Sequence, residues 1–206
     1  MKLLIYLFAL LTAVIASPAK PEDRAPRVYQ LVVHAPGCLV HGKSIQRMVQ
    51  PSGVHTTFVL GYFPDQGSFV DTYNFTAPPS PVRAAPGHAR NRLLKFYPNT
   101  GCDFYANLIG NGTHFMVYDT CDPPDSFLTT STQKWEEWKL LRKRRITKVV
   151  FGTLDDMGGW HLCRIGSWWP EDHANLVWIK DPKRDNKPTG WDRCRAVDLL
   201  AVETNV

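Results

Sequence analysis

The alternation of apolar and polar residues along the chain is strand-like almost from end to end. Val28 to His34, Val54 to Tyr62, Ser68 to Tyr73, Leu93 to Tyr97, Ile146 to Thr153, Trp160 to Ile165, Leu176 to Lys180 and Ala196 to Glu203 are rich in β-branched and aromatic residues, with Gly, Pro or Asn between them. This pattern predicts a mainly β fold, an antiparallel sandwich or barrel. Pro78, Pro79, Pro81 and Pro86 make residues 77–87 a loop that no sheet interior accepts. It reads as a long connection inside one domain, because the strands on either side are too few to close separate cores. One helix is expected over 133–142, where Trp135, Trp138 and Leu141 share a side, Glu136 and Glu137 lie near the start and basic residues near the end.

Asn111-Gly112 is the dipeptide favoured in a two-residue hairpin, and strand-like segments flank it. With Gly110 opposite Thr113, Cys102 stands opposite Cys121, and Phe104, Ala106, Leu108, Phe115 and Val117 share the face expected to be buried. Among the five cysteines, counting leaves one thiol over and three ways to pair any remaining four. The hairpin register selects Cys102 with Cys121. Strand-like flanks suggest Cys163 with Cys194, which leaves Cys38.

The first residues change the setting in which those thiols are read. Met1-Lys2 supplies a charge, Leu3 to Ile15 is apolar, and Val14, Ile15 and Ala16 suit a signal-peptidase site. Residues 1–16 are expected to be a secretory leader; the apolar run falls short of the ~20 residues that span a bilayer. Residues 17–206 are then expected as one soluble, secreted, extracellular domain in an oxidising environment that favours disulfides. Asn74 and Asn111 each open an Asn-x-Thr sequon, as expected of a glycoprotein. With 44% hydrophobic and 21% charged residues the chain is no disordered tail, and 14 Gly with 16 Pro make it turn-rich without low complexity. A net charge of +5 is mild for a nucleic-acid binder.

Candidate chemistry is scattered. Gly37 to Ser44 satisfies G-x-x-x-x-G-K-[ST], but Pro51 follows too soon for the long helix a phosphate loop requires, so the segment reads as a glycine-rich turn. No histidine pair has the spacing of a metal motif, and we expect neither a metal nor a cofactor. The strongest enzyme-like set is His114, His161, Glu171 and His173 with Arg164, the residue types of a metal-free ribonuclease. Arg142, Lys143, Arg144 and Arg145 form a basic run that reads as a solvated helix end, a site for a dibasic processing protease, or a nuclear address or phosphate-binding patch. Trp160 and Trp178 read as core. Trp168 and Trp169 lie in a loop, where an aromatic pair marks a partner or carbohydrate surface as readily as packing.

An early Val40-His41-Gly42-Lys43-Ser44, then Gly159-Trp160 with Cys163, Leu176 with Trp178, Lys187-Pro188, and Cys194 followed by Val197 and Leu199 resemble small secreted, disulfide-bonded proteins of filamentous fungi, including candidate effectors. The resemblance is strongest over 159–200. It implies a β-sandwich or barrel without catalytic residues, a virulence-type role at the host interface, and possible entry into host cells. The expected partner is a host protein or a cell-surface carbohydrate; nucleic acid through Arg142 to Arg145 is less favoured. The alternative is a secreted ribonuclease-like enzyme or its inactive derivative.

Overall fold

A computed structural model describes residues 27–50, 57–66, 71–76, 90, 92–97, 104–110, 114–121, 132–134, 137–152, 158–165, 173–181 and 191–204. They form thirteen strands: β1 (Val28–His34), β2 (Gln46–Gln50), β3 (Thr57–Tyr62), β4 (Thr72–Thr76), β5 (Leu93–Tyr97), β6 (Phe104–Gly110), β7 (His114–Cys121), β8 (Thr132–Lys134), β9 (Trp138–Lys143), β10 (Ile146–Phe151), β11 (Gly159–Ile165), β12 (Ala174–Ile179) and β13 (Trp191–Thr204). All belong to one antiparallel sheet, and a 3-10 turn at Pro64–Gln66 follows β3. Among the described residues no helix is long and apolar enough to cross a membrane. Residues 1–16, expected to be a leader, and the proline-rich segment 77–87 lie outside the described residues.

The sheet is partly ring-like. β13 is the longest strand and pairs with three others: β1 along Asp198 to Thr204, β10 at Leu199 and Leu200, and β11 between Trp191 and Val197. From β1 the ladder runs through β4 to β5. An isolated bridge between Arg92 and Trp138, with the Arg92 amide donating to the Trp138 carbonyl at 2.8 Å, connects the start of β5 to β9. β9 pairs with β10, and β10 returns to β13. Six strands, β13, β1, β4, β5, β9 and β10, therefore form a circuit that closes at the bridge from Arg92 to Trp138, while β2 and β8 each pair with one neighbour among the described residues.

The interior is packed solid. Tyr29, Leu31 and Val33 of β1, Tyr73 and Phe75 of β4, and Leu199 and Ala201 of β13 meet a tryptophan cluster from three other strands. Trp138 stacks on Trp160 at 5.3 Å between ring centroids, and Trp160 meets Trp178 edge-on at 4.8 Å. The indole N–H of Trp138 donates to the Ala106 carbonyl and that of Trp160 to the Val149 carbonyl, so neither buried donor is left unmet. Trp160 and Trp178 are core residues, as their strand-like flanks suggest. Gly61 lets β12 approach β3: a Cβ there would sit 2.2 Å from the Ala174 carbonyl oxygen.

Two local expectations are corrected. The helix over 133–142 gives way to strands at Thr132–Lys134 and Trp138–Lys143. Trp138, Leu140 and Arg142 face Phe151, Val149 and Thr147 across a hairpin, a period of two that places Trp138 in the core. The β-branched partner strand and the tryptophan stack outweigh a helical spacing that rested on few residues. In the β6–β7 hairpin, Gly110 pairs with Phe115 and Phe104 with Cys121, two residues away from the register expected of the Asn-Gly dipeptide. β7 is also held on its other edge by β12 and β3, and these neighbours set its position. A slip of two keeps every side chain on its face, and Ala106, Leu108 and Val117 are buried as expected.

Candidate functional site

The open end of the six-strand circuit is a cleft of about 480 Å³ lined by residues from five strands or their flanks. Its floor is Tyr29 and Phe75, which meet edge-to-face at 5.6 Å. Its walls carry three arginines, each placed by a strand terminus: Arg27 precedes β1, Arg92 precedes β5, and Arg142 lies near the end of β9 beside Leu140 and Thr147. Arg27 meets Glu203 at 3.7 Å, with both side chains about half exposed, a pairing worth little in water. Arg92 reaches the Phe75 carbonyl with Nη1 at 3.4 Å. Asn74 and Thr76 alternate with Tyr73 and Phe75 along β4, so their side chains lie on the face of the sheet opposite the Phe75 ring, where Asn74 Oδ1 and Thr76 Oγ1 are shielded from solvent. The mouth thus combines fixed positive charge with an apolar floor.

A second cleft, of about 540 Å³, opens where β1 ends and the turn-rich segment 35–43 begins. Gly37 and Gly42 there adopt φ of 77° and 76°, and the Gly42 amide donates to the Val33 carbonyl. The segment leads into strand β2, so the phosphate-loop pattern is a glycine turn between strands. His34 faces the Asp198 carboxylate at 3.8 Å, Lys148 meets the same carboxylate at 2.7 Å, and an Arg195 guanidinium nitrogen lies 2.9 Å from the free Cys38 sulfur. His161 also lines this cleft, with Nδ1 3.0 Å from the Gly159 carbonyl oxygen. Among the described residues no imidazole is hydrogen-bonded to Cys38, so the nucleophile–base contact of a cysteine hydrolase is not assembled.

The ribonuclease-like set does not converge in the described residues. His161 faces Val177 in the β11–β12 ladder, and His173 lies four residues further, or ~13 Å along the strand. His173 is buried against the Phe63 ring and meets Asp65 at 3.3 Å. Arg164 lies on β11, His114 opens β7, and Glu171 is outside the described residues.

The other candidates divide similarly. Cys163 and Cys194 form a disulfide across β11 and β13, with Cα atoms 4.0 Å apart, at a bulge where the register shifts between Leu162 and Arg164. The pairing of Cys102 with Cys121, and Asn111, Trp168 and Trp169, lie outside the described residues. Asn74 is in β4 between β1 and β5. Arg142, Lys143, Arg144 and Arg145 are exposed at a two-residue hairpin tip, not at a helix end, with Arg144 at φ 56°. Sequence reasoning singled out Arg142 but missed Arg27 and Arg92. Their one local signal is that each stands immediately before a strand, and only the ring brings the three together.

No protein-family model, curated protein or solved structure matches the chain. The functional reading therefore rests on the fold and on these clefts.

Proposed function

We propose that the chain is a secreted, non-enzymatic binding protein of the candidate-effector kind, acting at a host interface on a host protein or a cell-surface carbohydrate. The observation that carries this reading is the arginine-lined mouth: strand ends hold permanent charges over a packed aromatic floor, an arrangement suited to holding a ligand. The bridge between Cys163 and Cys194 fits an oxidising compartment. The separation of His161 from His173 weighs against the ribonuclease-like alternative, which needs an acid and a base on either side of one phosphate.

The test uses the natively secreted protein on intact host cells, beside Trp168→Ala/Trp169→Ala and His161→Ala variants checked for folding by circular dichroism. Saturable surface binding that weakens in the double tryptophan variant and persists in His161→Ala supports the reading. Multiple-turnover RNA hydrolysis that disappears in His161→Ala would replace it with the nuclease.

A further inference from the structure

The geometry points to the mouth formed by Arg27, Arg92 and Arg142 as a site for an acidic saccharide, a sugar carrying sulfate or carboxylate groups, which rests on the binding-protein reading above and names its ligand class. Two features of the site select that chemistry together.

The first is charge. Guanidinium groups present a planar fork that matches sulfate or carboxylate oxygens, and three of them converge where only Arg27 has a carboxylate neighbour among the described residues. The second is the floor. Tyr29 and Phe75 lie edge-to-face and nearly buried, which gives an apolar surface for the C–H side of a sugar ring but no open aromatic plate on which a nucleobase could stack. A volume near 480 Å³ falls in the ~300–1,000 Å³ range of small-ligand pockets.

The strands also separate this site from general basic charge. Arg142 lies on the hairpin face that carries Leu140 and Thr147 into the mouth, whereas neighbouring Lys143 lies on the opposite face and Arg145 at the tip. Charge attraction alone would draw on all four basic residues alike. A built site draws on Arg142 and Arg92, which are distant in sequence.

The experiment is titration calorimetry on full-length protein exported to a bacterial periplasm, where disulfides form and no N-glycan is added to Asn74. The probes are a heparin-derived tetrasaccharide, neutral cellotetraose and a short single-stranded RNA. We expect the sulfated tetrasaccharide to bind and cellotetraose not to. Arg142→Ala and Arg92→Ala should each weaken binding about tenfold, the usual effect of losing one charge-assisted hydrogen bond, while Lys143→Ala and Arg145→Ala change it less than about twofold. Arg142 is exposed, so its variant remains informative even if Arg92→Ala misfolds. The site is refuted by equal losses at all four positions, which would mean tip charge alone, or by tighter binding of RNA than of the tetrasaccharide. Absence of tetrasaccharide binding together with retained binding to host cells would end this proposal and leave the binding-protein reading standing.

Discussion

Replacing both Cys163 and Cys194 by Ala tests how far the bridge, rather than the ring of hydrogen bonds around it, holds the long β13 strand to β11. The two cysteines are 31 residues apart. In the chain-entropy account, opening a loop of that length returns about 12 cal/mol/K to the unfolded chain, or about 3.7 kcal/mol at 25 °C. Cys163 is fully buried against Val177 and Ile179, so a smaller Ala side chain adds a packing loss and the total should be no less than that. For a chain of this size the melting temperature should fall by about 10 °C. Urea unfolding of the wild type with and without reductant, and of the double variant, measures the effect directly. Cys38→Ala serves as the control, since Cys38 carries a free thiol at the mouth of a surface cleft. A loss below about 1 kcal/mol in the double variant, or a larger loss in Cys38→Ala, would refute the argument.

Other perturbations probe separate parts of the fold. Arg144→Gly should raise stability by about 0.5–1 kcal/mol in thermal unfolding, because φ of 56° at the hairpin tip is costly for a residue with a Cβ. Gly61→Ala should destabilise the protein by about 2 kcal/mol or more, since the added methyl group collides with the Ala174 carbonyl and β12 must move away from β3. Burial raises the Asp71 carboxyl above its ordinary 3.8, although its contacts with the Arg47 backbone amide and guanidinium pull the other way. Over the window that begins near pH 3.8 and ends at its folded pKa, native Asp71 keeps a proton the unfolded chain has released, so its contribution to stability falls as pH rises. Denaturant titrations across acidic pH should show that component of the slope vanish in Asp71→Asn.

What the sequence reveals here depends on whether the signal is local. Val28 to His34 and Leu93 to Tyr97 match β1 and β5 residue for residue, because alternation and flanking turns are local properties. Cys163 with Cys194 was legible for the same reason, from strand flanks on both sides. The helix over 133–142 failed because Trp138 answers to Trp160 and Phe151, partners distant in sequence or across a turn, and not to Trp135 and Leu141 on the expected helical face. The β6–β7 register failed because a hairpin held on both edges obeys its neighbours over its turn dipeptide. Arg27 and Arg92 were invisible as site residues: 65 positions of chain separate them, and only the bridge from Arg92 to Trp138 shows that both border the same mouth.

Ligand mass balance tests non-enzymatic binding most directly. Full-length protein purified with its disulfide formed is incubated with a large molar excess of heparin-derived tetrasaccharide and, separately, of RNA, and every species is counted by mass spectrometry after a time long enough for many turnovers. The account predicts full recovery of intact tetrasaccharide and intact RNA, with the tetrasaccharide retained on the protein in a stoichiometric complex. Products that accumulate beyond the amount of protein present, and that disappear in a folded His161→Ala or Arg92→Ala variant, would contradict it.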